Sequence, residues 1–382
     1  MTLPDDPGLA RPAAIPVTLL TGFLGSGKTT LLNRLLMHPR LADTAVIVNE
    51  FGEIGLDHHF VEAASGEMVV LNSGCLCCTV RGDLIDTMRR LYLQRVRGEV
   101  PQFRRVVIET TGLADPAPIL HTLIEDPVLE AYYRLDGVVT TIDAVNAMAE
   151  LDAQFEAVKQ AAVADRLVLT KTDIATDAVT AELTARLRQI NPAAPLIVAV
   201  HGEVEPDRLL EAGLWNPQAK TADVRRWLMA EAYAEGDNAA HDHGRGHAGG
   251  DDGDGNHHGH DHPALDVNRH DDRIRAHCFV IDEPLEWDAF ALWLGSLIRV
   301  RGDDILRVKG ILNVASEQGP IGLHGVQQVF HPPARLPAWP DEDRRSKIVF
   351  ITRDIGREFL AGSLQSYRDA AARATAMTGR SP

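Results

Sequence analysis

The run Gly22-Phe-Leu-Gly-Ser-Gly27-Lys28-Thr29 constrains this chain more than any other stretch. It matches G-x-x-x-x-G-K-[ST], follows the apolar run Ile15 to Thr21, and opens an amphipathic stretch, Lys28 to Met37. A strand, a glycine loop and a helix in that order form a phosphate seat. The glycines let successive backbone N–H groups turn inward on an anion, and the helix N-terminus adds its dipole. Lys28 then reaches the β/γ-phosphates and Thr29 offers its hydroxyl to Mg²⁺. Gly22, Gly25, Ser26, Gly27 and Thr30 complete the expected contacts.

A seat of that kind needs a parallel sheet, and the pattern around it supplies one. Thr44 to Asn49, Arg105 to Glu109, Gly137 to Ile142, Leu167 to Thr170 and Leu196 to Val200 read as further buried strands. Helical patterns such as Asp83 to Gln94 and Ala178 to Ile190 lie between them. Strand–helix alternation implies a mostly parallel sheet with helices on both faces, and ligands at the C-terminal ends of the strands. The fold class is therefore α/β, a P-loop NTPase domain over residues 15–234 behind an N-terminal tail of residues 1–14.

After Tyr233 the composition changes abruptly. Glu235 to Asp272 consists largely of Gly, Asp, Asn and His, and holds eight of the sixteen histidines. Its ten acidic residues against two arginines carry about half of the net charge of −16. With so little to bury, this stretch reads as a disordered linker. Recurrent His-x-His spacing, as at His241/His243 and His258/His260, suits weak and unselective metal binding. A smaller α+β unit follows over residues 273–382. His277 to Ile281, Asp304 to Val314, Gly325 to Phe330 and Ser346 to Thr352 read as its strands, and Trp287 to Ile298 and Glu358 to Ala371 as its helices.

The base is addressed by Thr170-Lys171-Thr172-Asp173, at the end of a buried strand late in the sheet. An Asp173 carboxylate there accepts from N1–H and the 2-amino group of guanine, donors that adenine lacks at those positions. The Lys171 stem lies across the ring. GTPases usually carry Asn where this chain has Thr170, so that residue's base contact is not carried over. Two segments are placed to sense a γ-phosphate. Glu109-Thr110-Thr111-Gly112 ends a strand with an acid for Mg²⁺ or its water and a glycine N–H for the phosphate. Asn49 to Asp57 follows the second strand with three carboxylates and two glycines. Lys28, Glu109 and Gly112 are thus the candidate catalytic residues.

Gly74-Cys75-Leu-Cys77-Cys78 brings three thiols within four positions. Four cysteines in 382 residues make no disulfide framework, and three close thiolates are soft ligands suited to Zn²⁺, with Cu(I), Co²⁺ or Ni²⁺ left open. A fourth position is free for water, Glu50, Asp57 or His58. His277, Cys278 and His331 are read as packing residues.

The negative charge argues against nucleic acid or anionic lipid as a partner. No apolar run approaches the ~18 residues that span a membrane, and the acidic N-terminus does not read as a secretory signal. The expected address is the cytoplasm.

With these motifs in hand, the chain resembles the CobW-type metallochaperone GTPases, relatives of the nickel-delivery GTPases HypB and UreG. TGFLGSGKTTLLN, NEFGEIGLD, GCLCC, ETTGLADP and TKTD carry the resemblance, and LRVKGIL, HGVQQVFHPP and DRRSKIVFITRD look like that family's C-terminal domain. The resemblance implies a Mg²⁺-dependent GTPase that binds a transition metal, zinc favoured, at Cys75, Cys77 and Cys78, couples it to GTP or GDP, and delivers it to a client apo-metalloprotein. Cobalt handling for cobalamin synthesis is the variant within the family. Outside it stand a metal buffer with a vestigial nucleotide site and a P-loop kinase. A homodimer is left open.

Overall fold

The computed structural model describes residues 14–49, 70–73, 80–210 and 273–378. The first unit runs β1 (Ile15–Gly22), α1 (Lys28–Leu36), β2 (Thr44–Asn49), β3 (Val70–Ser73), α2 (Val80–Arg97), β4 (Arg105–Glu109), α3 (Ala117–Glu125), α4 (Pro127–Tyr132), β5 (Tyr133–Asp143), α5 (Ala147–Ala153), α6 (Phe155–Val163), β6 (Arg166–Thr170), α7 (Asp177–Ile190), β7 (Leu196–Ala199) and α8 (Pro206–Leu209). The seven strands among its described residues form one sheet in the order β3-β2-β4-β1-β5-β6-β7, and every pairing between them is parallel.

Both faces of this sheet are covered, which is why its strands read as continuous apolar runs rather than alternating ones. Leu20, Val46, Val107, Val139 and Val168 pack with Leu31 and Leu32 of α1 on one side. On the other, Val17, Leu19, Ile47 and Ile108 meet Leu84, Met88 and Leu91 of α2. The register then aligns the strand ends: Asn49 beside Ser73, Glu109 beside Val48 and Leu20, Gly22 beside Thr141, and Asp143 beside Thr170. After β1 the chain turns to one side of the sheet, and after β4 to the other. The crevice at that reversal is where open α/β sheets bind ligands.

The second unit comprises β8 (Ile274–Ile281), α9 (Trp287–Arg301), β9 (Ile305–Leu312), β10 (Ile321–Val326), β11 (Val329–Phe330), β12 (Ala334–Arg335), β13 (Ser346–Arg353) and α10 (Arg357–Thr378). Its strands run β11-β10-β9-β13-β8, with β12 on β10, and all pair antiparallel. Trp287, Phe290, Trp293 and Leu294 of α9 and Leu360 and Leu364 of α10 cover one face, against Val308, Leu312 and Phe350. The expected strand Gly325 to Phe330 is instead a hairpin: β10 stops at Val326, Gln327 takes φ 51°, and β11 returns from Val329. The two polar residues Gln327 and Gln328 mark the turn, but a two-residue turn is hard to read when neither of them is Gly, Asn or Asp.

The opposite face of the second sheet rests on the first unit. Leu306, Ile351 and Ile274 join Leu183, Leu187 and Ala161 in one apolar cluster. Beside it lies a buried charge cluster. Asp165, just before β6, accepts from Arg307 Nη2 at 2.6 Å and from Lys309 Nζ with one oxygen, and from Val138 N–H at 2.9 Å with the other. Burial would raise the Asp165 carboxyl, but the Arg307 and Lys309 charges overcome it and hold its pKa at about 2. Lys309 is pushed down to about 8 by burial and by Arg307. His324, 3.2 Å from Arg307, is held well below its ordinary value by burial and the same cations.

Candidate functional site

The phosphate loop is built by backbone conformations that favour glycine. Gly22, Gly25 and Gly27 have φ of 142°, 71° and 88°, and a Cβ on Gly22 would lie 2.3 Å from Thr141 Oγ1. The loop thus leaves β1 directly over β5. Ser26 Oγ is buried 2.7 Å from Thr141 Oγ1, and the Ser26 carbonyl accepts from Thr170 Oγ1 at 2.8 Å. Thr170 is therefore a strut under the loop, a role for which a short hydroxyl suffices. Gly27 caps α1 in the left-handed region, and α1 begins at Lys28.

Lys28 Nζ donates to the carbonyls of Gly22 at 3.1 Å and Phe23 at 3.0 Å, folding its ammonium across the mouth of the loop. Thr29 Oγ1 donates to Glu109 Oε1 at 2.6 Å. A hydroxyl and a buried carboxylate in contact at the end of a phosphate loop are hard oxygen donors of the kind Mg²⁺ takes. Those two residues fit the cation. Thr30 lies on the exposed side of the first turn of α1.

Gly112 is pressed against the same loop, and a Cβ there would stand 2.6 Å from Leu24 N. Only a glycine lets this turn approach the P-loop backbone so closely. Thr111 Oγ1 next to it is buried without a hydrogen-bond partner among the described residues. Just after β6, Lys171, with φ 57°, donates to Asp143 Oδ2 at 2.7 Å. Burial would raise the Asp143 carboxyl, but hydrogen bonds from Lys171, Asn146 and the Val145 N–H hold it below the ordinary carboxylate range. Asp173 is exposed, its carboxylate 3.9 Å from His201 Nε2.

Gly22 to Thr29, Glu109, Gly112, Lys171 and Asp173 therefore gather at the C-terminal ends of β1, β4 and β6. Glu50, Cys75, Cys77 and Cys78, with Asp57, His58 and the histidine-rich stretch, lie outside the described residues. Sequence reasoning did not single out Asp143 or Thr141; an Asp closing a buried strand was the available signal for the first. His277 Nε2–H donates to the Ile355 carbonyl at 3.1 Å, and burial pushes the Cys278 thiol up to about 11, as packing residues require.

The nucleotide-binding domain of the CobW/HypB/UreG family matches residues 16–198, and the cobalamin synthesis protein CobW C-terminal domain matches residues 274–368. Zinc chaperone YjiA of Escherichia coli is 31% identical over 354 residues, covering 93% of this chain and 99% of that protein. The chain belongs to the CobW family. Two further relatives of similar extent are zinc-regulated GTPase metalloprotein activator 1 of Schizosaccharomyces pombe, 30% identical over 90% of this chain and 83% of its own, and zinc chaperone CobW of Pseudomonas aeruginosa, 31% identical over 93% and 92%. Among solved structures, Zn(II)-bound YjiA GTPase from E. coli matches with a TM-score of 0.64 at 26% identity, over 93% of this chain and 99% of that one. The CobW-family fold thus extends through both units. No helix among the described residues is long and apolar enough to cross a membrane.

Proposed function

We propose that this CobW-family chain is a Mg²⁺-dependent GTPase that holds zinc at Cys75, Cys77 and Cys78 and passes it to a client apo-metalloprotein under control of the nucleotide. The observation that carries this reading is the register of the strand ends. Glu109, in contact with Thr29, lies one strand from Asn49 and two from Ser73, at about 5 Å per strand. The segment with Glu50 starts after Asn49, and the cysteine motif starts after Ser73. Nucleotide-sensing and metal-binding segments thus spring from neighbouring strand ends of one sheet. The relatives named zinc chaperone and the Zn(II)-bound YjiA structure support zinc as the cargo.

In this reading Lys28 leaves the Gly22 and Phe23 carbonyls for the phosphates, and Thr29 and Glu109 would hold Mg²⁺, which would supply charge neutralisation to the phosphates. Gly112 offers its N–H to the γ-phosphate. The domain division 15–234, 235–272 and 273–382 is part of the proposal, with the acidic histidine-rich segment as a weak reservoir. Neither switch segment carries an arginine, so isolated turnover is expected to be slow and an arginine from a partner to accelerate it.

Guanine selection is the part tested most cheaply. An Asp173→Asn variant replaces the acceptor for N1–H and the 2-amino group with an amide whose N–H₂ suits the 2-oxo group of xanthine. Two hydrogen bonds to a charged group at about 1.5–3 kcal/mol each make the expected loss of GTP affinity roughly 10²-fold or more, with xanthosine triphosphate bound in its place. Unchanged GTP binding, or equal hydrolysis of ATP and GTP by the wild type, would overturn the base assignment.

A further inference from the structure

We propose that Gln160 is a positioning residue for the second switch turn, and that its two amide N–H groups set how readily Gly112 engages the γ-phosphate. The proposal rests on the GTPase reading above. Gln160 lies in α6 among Ala157, Val158, Ala161, Ala162 and Val163, and only 1% of its surface is exposed. A buried polar side chain in an apolar helix costs free energy unless it is hydrogen-bonded. Here Nε2 donates to the Gly112 carbonyl at 3.2 Å and to the Ala114 carbonyl at 3.0 Å. One side chain therefore pins two peptide planes of the same turn, which is itself closed by Ala114 N–H to the Thr111 carbonyl at 3.2 Å.

The consequence follows from peptide geometry. The Gly112 N–H shares a trans, planar peptide with the Thr111 carbonyl, and that carbonyl is held by the N–H of Ala114, whose own carbonyl Gln160 holds. The Gly112 backbone is meanwhile clamped between Gln160 and Leu24 of the P-loop. The preceding residue of α6 grips the same segment, with Lys159 Nζ 2.6 Å from Asp115 Oδ2. The helix is fixed from behind as well: the Phe155 ring lies under both Lys159 and Arg353 of the second unit, at 5.0 and 4.8 Å. Arg353 is in turn anchored by Asp304 at 2.7 Å. The switch turn thus hangs from a helix braced against the C-terminal sheet. A preorganised donor costs little reorganisation at the moment of reaction, and Gln160 supplies that order without touching the nucleotide.

Two variants of the full-length chain separate positioning from packing. Gln160→Met keeps the volume and removes both donors. Gln160→Glu keeps the shape, opposes two carbonyls with a carboxylate when ionised, and regains one O–H donor when protonated. Burial raises such a carboxyl toward neutrality. Relative to wild type, the Met variant is expected to lose about tenfold in kcat at every pH with GDP affinity within about twofold. The Glu variant is expected to recover rate relative to wild type as pH falls from 8 to 6. Amide exchange across residues 112–116 should rise in Gln160→Met whether or not the wild type hydrolyses GTP. A wild type without GTPase activity but with that rise overturns the GTPase reading and keeps the anchor. Unchanged exchange, or wild-type kcat per folded molecule in both variants with only a lowered Tm, overturns the positioning role.

Discussion

Lys28→Ala is expected to reduce GTP hydrolysis by about 10²–10³-fold, the usual loss when one preorganised donor to developing negative charge is removed. The ammonium is the part of the loop that can change partners. In the structure it caps the buried Gly22 carbonyl and the part-buried Phe23 carbonyl, so the ground-state fold loses two hydrogen bonds at about 1 kcal/mol each. On a triphosphate it has no substitute, because the backbone N–H groups of the loop are fixed and uncharged. The substitution should lower the thermal midpoint by a few degrees and leave GDP binding less affected than triphosphate binding. Steady-state phosphate release, with calorimetric titration of GDP and a non-hydrolysable GTP analogue, checks both parts. Hydrolysis within twofold of wild type would remove Lys28 from the chemistry.

Asp165→Asn carries the largest expected loss of stability. It strips the counter-charge from Arg307 and Lys309, both buried against the first unit. Breaking a buried ion pair by removing one partner costs about 3–5 kcal/mol, because the remaining charge has no water to return to. The double variant Asp165→Asn with Lys309→Met, which removes one stranded charge, should recover part of that loss in denaturant unfolding. No recovery would mean that Asp165 matters for its bond to Val138 N–H instead. The linkage sign is set by a folded pKa of about 2 against an ordinary value of 3.8. The contribution is present in full above about pH 4 and is lost as pH falls from there toward 2. It amounts to about 2 kcal/mol, and the Asn variant should show a flatter acid limb than wild type.

What the sequence made legible was whatever lies within one strand–loop–helix unit. The P-loop needed only its neighbours, and all six expected strands of the first sheet are present with ends shifted by a few residues. The edge strand Val70–Ser73 was missed because four residues, two of them polar, carry no periodicity to count. The expected strand Gly325 to Phe330 hid a turn at Gln327 for the reason already given. Thr170 read as a departure from a base-binding box, yet the fold uses its hydroxyl to support Ser26 across 144 residues of sequence. The Asp165–Arg307–Lys309 cluster and the hold of Gln160 on Gly112 and Ala114 are also non-local. Asp165, Arg307, Lys309 and Gln160 are polar residues set in largely apolar stretches, unexplained until their partners are brought beside them. Such residues are the sequence-level trace that long-range contacts leave.

The central claim is that nucleotide state and zinc affinity are one equilibrium. The direct test is a competition titration of Zn²⁺ on the wild-type chain and on Cys77→Ala, each without nucleotide, with Mg·GDP, and with a Mg-bound non-hydrolysable GTP analogue. The difference between the two proteins isolates the thiolate site from the histidine-rich segment. The account predicts that this site binds zinc at least tenfold more tightly with the triphosphate than with GDP. By reciprocity, zinc must then tighten triphosphate binding by the same factor. Equal zinc affinity in all three states would contradict it, and the chain would then be a metal buffer that retains a phosphate loop.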